Sequence, residues 1–78
     1  MESGYMPKGL SEALGWLIEE AAEVQSEVGK TIRFGLWSWD PREPVREYNR
    51  DAILRELGDL KAAIHTAEAW LTKEVPPA

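Results

Sequence analysis

The residues of this sequence best suited to chemistry are carboxylates at helical spacing. Glu19, Glu20 and Glu23 form an E-E-x-x-E run, and Glu56 and Asp59 form an E-x-x-D run. Helical residues three or four apart share a face, with Cβ atoms about 5–6 Å apart. Glu20 and Glu23 can therefore converge on one point, and so can Glu56 and Asp59. If the two segments pack antiparallel, the four carboxylates face one small volume. Clustered anions repel unless a cation sits among them, and at least one should then titrate above its ordinary range. Hard oxygen ligands of this kind suit Mg²⁺, Mn²⁺ or Ca²⁺ rather than softer metals.

A di-iron carboxylate bundle is the rival use of acidic helices, and it requires Glu-x-x-His pairs. The sole histidine is His65, and three residues before it stands Ala62, so the pattern is absent. His65 is expected to be a partly exposed helix residue. Among the cations, Lys30 and Arg33 follow the acidic run, and Arg50, Arg55 and Lys61 ride the second segment. Most should be solvated, since exposed ion pairs contribute little. Lys30, Arg33 and Lys61 are the candidates for holding phosphates. Trp37 and Trp39 flank Ser38 and either stack on a planar ligand such as a base or pack their connection onto the hairpin or a partner chain. Trp16 lies on the acidic side of its helix, where an interface between chains is expected to cover it. Trp70 is expected at an interface or in the core.

The elements that must position these residues are two helices. Leu14, Leu17, Ile18, Ala21, Val24 and Val28 recur at the spacing of an amphipathic helix over residues 10–31. Glu19, Glu23 and Glu27 fall opposite that stripe, with Glu20 at its edge. Ser11 can cap the start, and Gly29 or Gly35 can stop the helix. Ile53, Leu54, Leu57, Leu60, Ile64, Ala67 and Leu71 form the stripe of a second helix over 49–73, capped by Asn49 or Asp51 and ended by Pro76-Pro77. Ala63 and Ala67, below Glu56 and Asp59, are small enough to let another helix come close. Between the helices, residues 35–48 hold Pro41 and Pro44 and read as a connection, in which Asp40 can cap one helical turn. Residues 1–9 read as a tail. No alternating strand pattern appears.

Composition limits the partners. Seventy-eight residues accommodate one domain at most, and chains this short usually lean on a disulfide, a metal or a second chain. With no cysteine, the first of these is excluded, which fits a reducing, cytoplasmic setting. A formal charge of −5 argues against coating nucleic acid. No apolar run approaches a membrane span, and the first ten residues lack the apolar core of a secretory signal. Two hairpins pairing into a four-helix bundle would bury both leucine stripes, so a homodimer or a dimer of dimers is expected.

Leu17-Ile18-Glu19-Glu20-Ala21-Ala22-Glu23 and Leu54-Arg55-Glu56-Leu57-Gly58-Asp59-Leu60 resemble the motifs of the MazG-type all-α nucleoside triphosphate pyrophosphohydrolases. The likeness covers both helices. The connection bearing Trp37 and Trp39 is longer than is usual in that family, which bears on base recognition. The resemblance implies Mg²⁺, with Mn²⁺ as a substitute, held by Glu20, Glu23, Glu56 and Asp59. It implies cleavage of a nucleoside triphosphate between its α and β phosphates, giving a monophosphate and pyrophosphate. Glu19 matches the first glutamate of the motif and is the candidate general base towards water. Two other readings compete. One is a non-enzymatic, self-associating helical module whose acidic face is merely solvated. The other is a structural Ca²⁺ or Mg²⁺ clip.

Overall fold

The computed structural model describes residues 6–77. It is all-helical: α1 spans Leu10–Phe34 and α2 spans Asn49–Leu71, with no strand among the described residues. The first five residues of the expected tail lie outside the described range. Among the described residues, no helix is long and apolar enough to cross a membrane.

The helix ends differ from the sequence expectation in instructive ways. α1 runs past Gly29 to Phe34 and stops where Gly35 takes φ 93°, its N–H donating to the Thr31 carbonyl. Glycine populates that half of φ space without steric penalty, so Gly35, not Gly29, is the stop. At the start, Ser11 lies inside the helix and the N-cap is Gly9, which offers no side chain. Glu12 compensates from the first turn by accepting a 2.8 Å hydrogen bond from the Lys8 N–H. Tyr48 is the N-cap of α2, again without a side-chain bond. Asn49 instead donates its side-chain amide to the Gly35 carbonyl at 3.0 Å, tying the two ends of the connection together.

The connection, residues 35–48, is zipped at its base. The Asn49 N–H donates to Ser38 O at 2.8 Å and the Arg50 N–H to Leu36 O at 3.0 Å. Asp40 does cap a turn, accepting from the Arg42 N–H at 2.9 Å, with the Glu43 N–H reaching Asp40 O at 3.2 Å. With the ends closed in this way, α2 runs back along α1.

The face joining the two helices is not the leucine stripe. On the two helices, the buried apolar residues are Ala13 and Trp16 of α1 and Ala52, Ala63 and Ala67 of α2. Leu14, Ile18, Val28, Leu54, Ile64 and Leu71 stay exposed, Ile18 at 71%. The reason is steric: alanines let two backbones approach closely, whereas the larger side chains stand on the outer surface. The molecule is a single layer, 14 Å in its shortest dimension, with a radius of gyration of 15.5 Å. A compact chain of this length would have about 11.5 Å.

Candidate metal centre and its aromatic loop

Residues facing the partner helix recur at alternating steps of three and four on both helices. On α1 they are Ala13, Trp16, Glu20, Glu23 and Glu27; on α2 they are Asn49, Ala52, Glu56, Asp59 and Ala63. This repeat is the seam spacing of paired helices, yet its middle is occupied by carboxylates. Glu20 is fully buried, with 0% exposure. Glu56 is also buried, and Glu23, Glu27 and Asp59 are half-buried. Lying opposite the apolar stripe therefore does not place Glu23 and Glu27 in solvent; that side meets α2.

The carboxylates form two overlapping triads. Oxygens of Glu19, Glu20 and Glu23 lie within 4.8 Å of one another, and so do oxygens of Glu20, Glu56 and Asp59. Glu20 belongs to both. Ions with oxygen ligands at about 2.0–2.6 Å hold opposite ligands roughly 4–5 Å apart, so each triad is of a size that one cation can bridge. The structure thus brings together all four expected ligands and the proposed base. Glu19 is the exposed member, open to water.

The hydrogen bonding of the cluster is incomplete. Trp16 donates its indole N–H to Glu20 Oε1 at 3.1 Å. The ring is thereby buried inside the hairpin, beside the carboxylates, rather than left for a partner chain to cover. Glu20 Oε2 has no hydrogen-bond partner, and neither has Glu56 Oε2. Buried polar atoms are nearly always paired, because leaving one unsatisfied costs about 1–3 kcal/mol, and more for a charge. Burial holds the Glu56 carboxyl above its ordinary range, reinforced by Glu23 within hydrogen-bonding reach and opposed by Arg55. Two ionised carboxylates have no hydrogen to share, so the Glu23–Glu56 contact is repulsive until a proton or a cation lies between them.

Arg55 brings the nearest positive charge. It donates from Nη1 to Glu56 Oε1 at 2.7 Å. From Nε and Nη2 it also forms a fork on the Glu47 carboxylate, both bonds 3.1 Å. The fork lowers the Glu47 carboxyl below its usual range and raises the guanidinium. One turn along α1, Lys30 Nζ lies 3.2 Å from Glu27 Oε2, close enough for an ion pair but outside hydrogen-bond geometry.

The aromatic residues of the loop gather around Tyr48. Its ring meets Trp37 edge-on at 5.5 Å and Trp39 at 6.1 Å. The Arg46 guanidinium lies 3.5 Å from the centre of the Trp39 ring and covers one of its faces. A cavity of about 340 Å³ opens below, walled by Lys30, Phe34, Trp39, Asp40 and Asn49 among others. Of the five residues expected to hold substrate, Trp39 and Lys30 line this cavity, whereas Trp37, Arg33 and Lys61 do not. Arg33 is exposed, its guanidinium 5.7 Å from the centre of the Phe34 ring, and Lys61 is exposed on α2. Asp40 is drawn down to about 2 by the side-chain and backbone hydrogen bonds of Arg42.

Sequence reasoning missed Glu27, the Glu47–Arg55–Glu56 chain and the stacking of Arg46 on Trp39. The alternating three–four spacing could have revealed Glu27. Glu47 and Arg55 meet across eight positions in sequence, between a loop and a helix, and no local pattern announces such a pair.

Comparison with protein-family models, with curated proteins and with solved structures returns no match to this chain.

Proposed function

We propose that this chain is a Mg²⁺-dependent nucleoside triphosphate pyrophosphohydrolase of the MazG type. One observation carries the reading: Glu20, fully buried and shared by both triads, keeps an oxygen without a partner, as does Glu56. Carboxylates placed between two helices destabilise the fold by desolvation and mutual repulsion. A divalent cation offsets both, and the donor set is all oxygen, which is what Mg²⁺ and Mn²⁺ take. Glu20, Glu23, Glu56 and Asp59 would hold the ion. When bound, it would polarise phosphate oxygens and lower the pKa of a water.

The chain's own residues then divide the work. Glu19 stands at the open side of its triad, exposed yet next to Glu20 and Glu23. It can accept a proton from water without giving up a buried position. The acidic seam alone would repel a triphosphate, so binding needs the ion together with the cations at the loop end. Lys30 lines the cavity beside Trp39. With Arg46 on one face of Trp39, a base would stack on the other face or on Phe34.

The same reading includes assembly of hairpins into a four-helix bundle. A layer 14 Å thick with Ile18 and Ile32 exposed at 71% and 80% has no second layer of its own. Globular folds need two layers to bury an apolar face, and a second copy presents a matching face. Sedimentation at micromolar concentration should show a dimer or a dimer of dimers, and a folded monomer would count against this part.

The direct test of the activity is a panel of ribo- and deoxyribonucleoside triphosphates with Mg²⁺, assayed for pyrophosphate and monophosphate. Release of pyrophosphate from at least one of them, abolished by chelator, is the expected result. Metal-dependent stability without turnover of any nucleotide would leave a structural clip instead.

A further inference from the structure

The loop and the carboxylate seam are joined by one continuous chain of charge-assisted bonds. Glu56 Oε1 is held by Arg55 Nη1 at 2.7 Å, and the remaining donors of Arg55 fork onto Glu47 at 3.1 Å. Glu47 sits next to Tyr48, whose ring contacts Trp37 and Trp39. Asn49 follows directly, and its backbone and side chain lock the loop base onto Ser38 and Gly35. A planar guanidinium is the side chain able to hold two carboxylates at once in fixed geometry.

Coulomb's law makes this chain responsive. A divalent cation approaching Glu56 meets the Arg55 guanidinium on the same carboxylate, and two positive groups at one carboxylate repel. Either Arg55 yields its 2.7 Å bond or the Glu56 carboxylate turns between the two cations. Arg55 cannot move alone, because its other side is forked to the loop.

We propose that Arg55 is a positioning residue that couples cation occupancy of the carboxylate cluster to the placement of the aromatic loop, through Glu56, Arg55 and Glu47. The inference rests on the cation reading above and adds to it a route by which the ion and the Trp37–Trp39–Tyr48 cluster sense each other. In the cation-free protein Arg55 stands as the counter-charge of Glu56. On cation binding it shifts towards Glu47 and carries the loop base with it.

The tryptophan indoles report both ends of this chain. The Trp16 N–H donates to Glu20 and so reads the cluster itself, whereas Trp37 and Trp39 read the loop. Indole N–H resonances of ¹⁵N-labelled protein would be followed during a Mg²⁺ titration of the full chain. In the wild-type protein the resonances of Trp16, Trp37 and Trp39 should all move and saturate together. In Arg55→Gln and in Glu47→Gln, Trp16 should still move while the response of Trp37 and Trp39 is lost. Arg55→Lys keeps the charge but replaces the planar fork with a single ammonium that cannot hold both carboxylates in fixed geometry, so it should lose the loop response too. Glu47→Gln leaves Arg55 and Glu56 in place, which keeps the test valid should the arginine variants fold poorly. A loop response that persists in Glu47→Gln or Arg55→Lys would overturn the coupling while leaving the cation site intact. So would a wild-type protein in which Trp16 moves and the loop does not. A wild-type Trp16 resonance unmoved by Mg²⁺ would remove the cation reading, and the coupling with it.

Discussion

The two long faces of this hairpin are built from opposite materials. The inner seam, where burial is greatest, holds Glu20, Glu23, Glu56 and Asp59 among alanines and one tryptophan. The outer face, open to solvent in the single chain, carries Leu14, Ile18, Val28, Leu54, Ile64 and Leu71. Folding for stability alone would put the leucines inside and the glutamates outside. On the proposed reading, the seam is organised for the cation it would hold, and the apolar face for a second layer. Stability would then come from outside the single chain, through the cation on one side and the partner copy on the other.

The largest effect should come from separating the base from the ligands within the seam. Glu19→Gln should reduce turnover by about 10²–10⁴-fold while leaving Mg²⁺ affinity nearly unchanged. Amide variants of Glu20, Glu23, Glu56 or Asp59 should instead weaken Mg²⁺ binding and recover part of the lost rate at high Mg²⁺. Rescue of Glu19→Gln as complete as that of the ligand variants would place Glu19 among the ligands.

On the outer face, Ile18→Glu puts a charge where a partner chain is proposed to pack. It should weaken the assembly by on the order of 3–5 kcal/mol, the scale of an uncompensated buried charge, and yield smaller particles in sedimentation. A monomeric wild type, or an unaffected oligomer, would remove the partner from the account.

The seam should also reveal its internal repulsion in thermal melts. Millimolar Mg²⁺ should raise the melting temperature; at a hundredfold excess over the dissociation constant the gain is about 2.7 kcal/mol. Glu56→Gln should melt higher than wild type in chelator, by on the order of 1 kcal/mol, and lose most of the Mg²⁺ response. The pH dependence follows the same logic. The folded-state pKa of Glu56 is raised by burial, so between the unfolded and folded values the native state holds the extra proton. Its contribution is full below the unfolded value and is lost as pH rises through the folded one. In chelator, wild type should therefore lose stability relative to Glu56→Gln as pH rises from about 4 towards neutrality. Parallel curves for the two proteins would contradict the assignment.

The smallest effect probes the outer surface. Gly58 is an exposed helical glycine, and a Cβ added there meets nothing within 4 Å. Gly58→Ala should stabilise the helix by about 0.5–1 kcal/mol. Destabilisation instead would show a partner chain approaching that glycine.

Much of the fold was legible because periodicity and punctuation are local. Both helices, the connection over 35–48 and the capping turn at Asp40 follow from apolar spacing, proline and glycine. Periodicity identifies which residues are apolar, but not what covers them. The stripe of Leu14, Leu17 and Ile18 was therefore a sound sign of a helix and a poor sign of which face meets α2. Ala13, Ala52 and Ala63 barely register in a hydrophobic pattern, yet they decide how closely the backbones approach. The convergence of Glu20 with Glu56 and Asp59 was legible from spacing once the helices were taken as antiparallel. The burial of Trp16 against Glu20 was not, because it depends on the packing of both helices. Ser11 has the residue type of a cap, but the cap lies two positions earlier, at Gly9, and the helix begins at Leu10.

The central claim is that the inner seam is a divalent-cation site, and binding of Mn²⁺ measures it without reference to any substrate. Electron paramagnetic resonance of free Mn²⁺, titrated with the intact protein, should show saturable binding that Mg²⁺ displaces. Glu20→Gln, which removes the one carboxylate common to both triads, should markedly weaken that binding while the helical content is kept. Unchanged free Mn²⁺ in the presence of wild type, or equal binding by Glu20→Gln, would contradict the account.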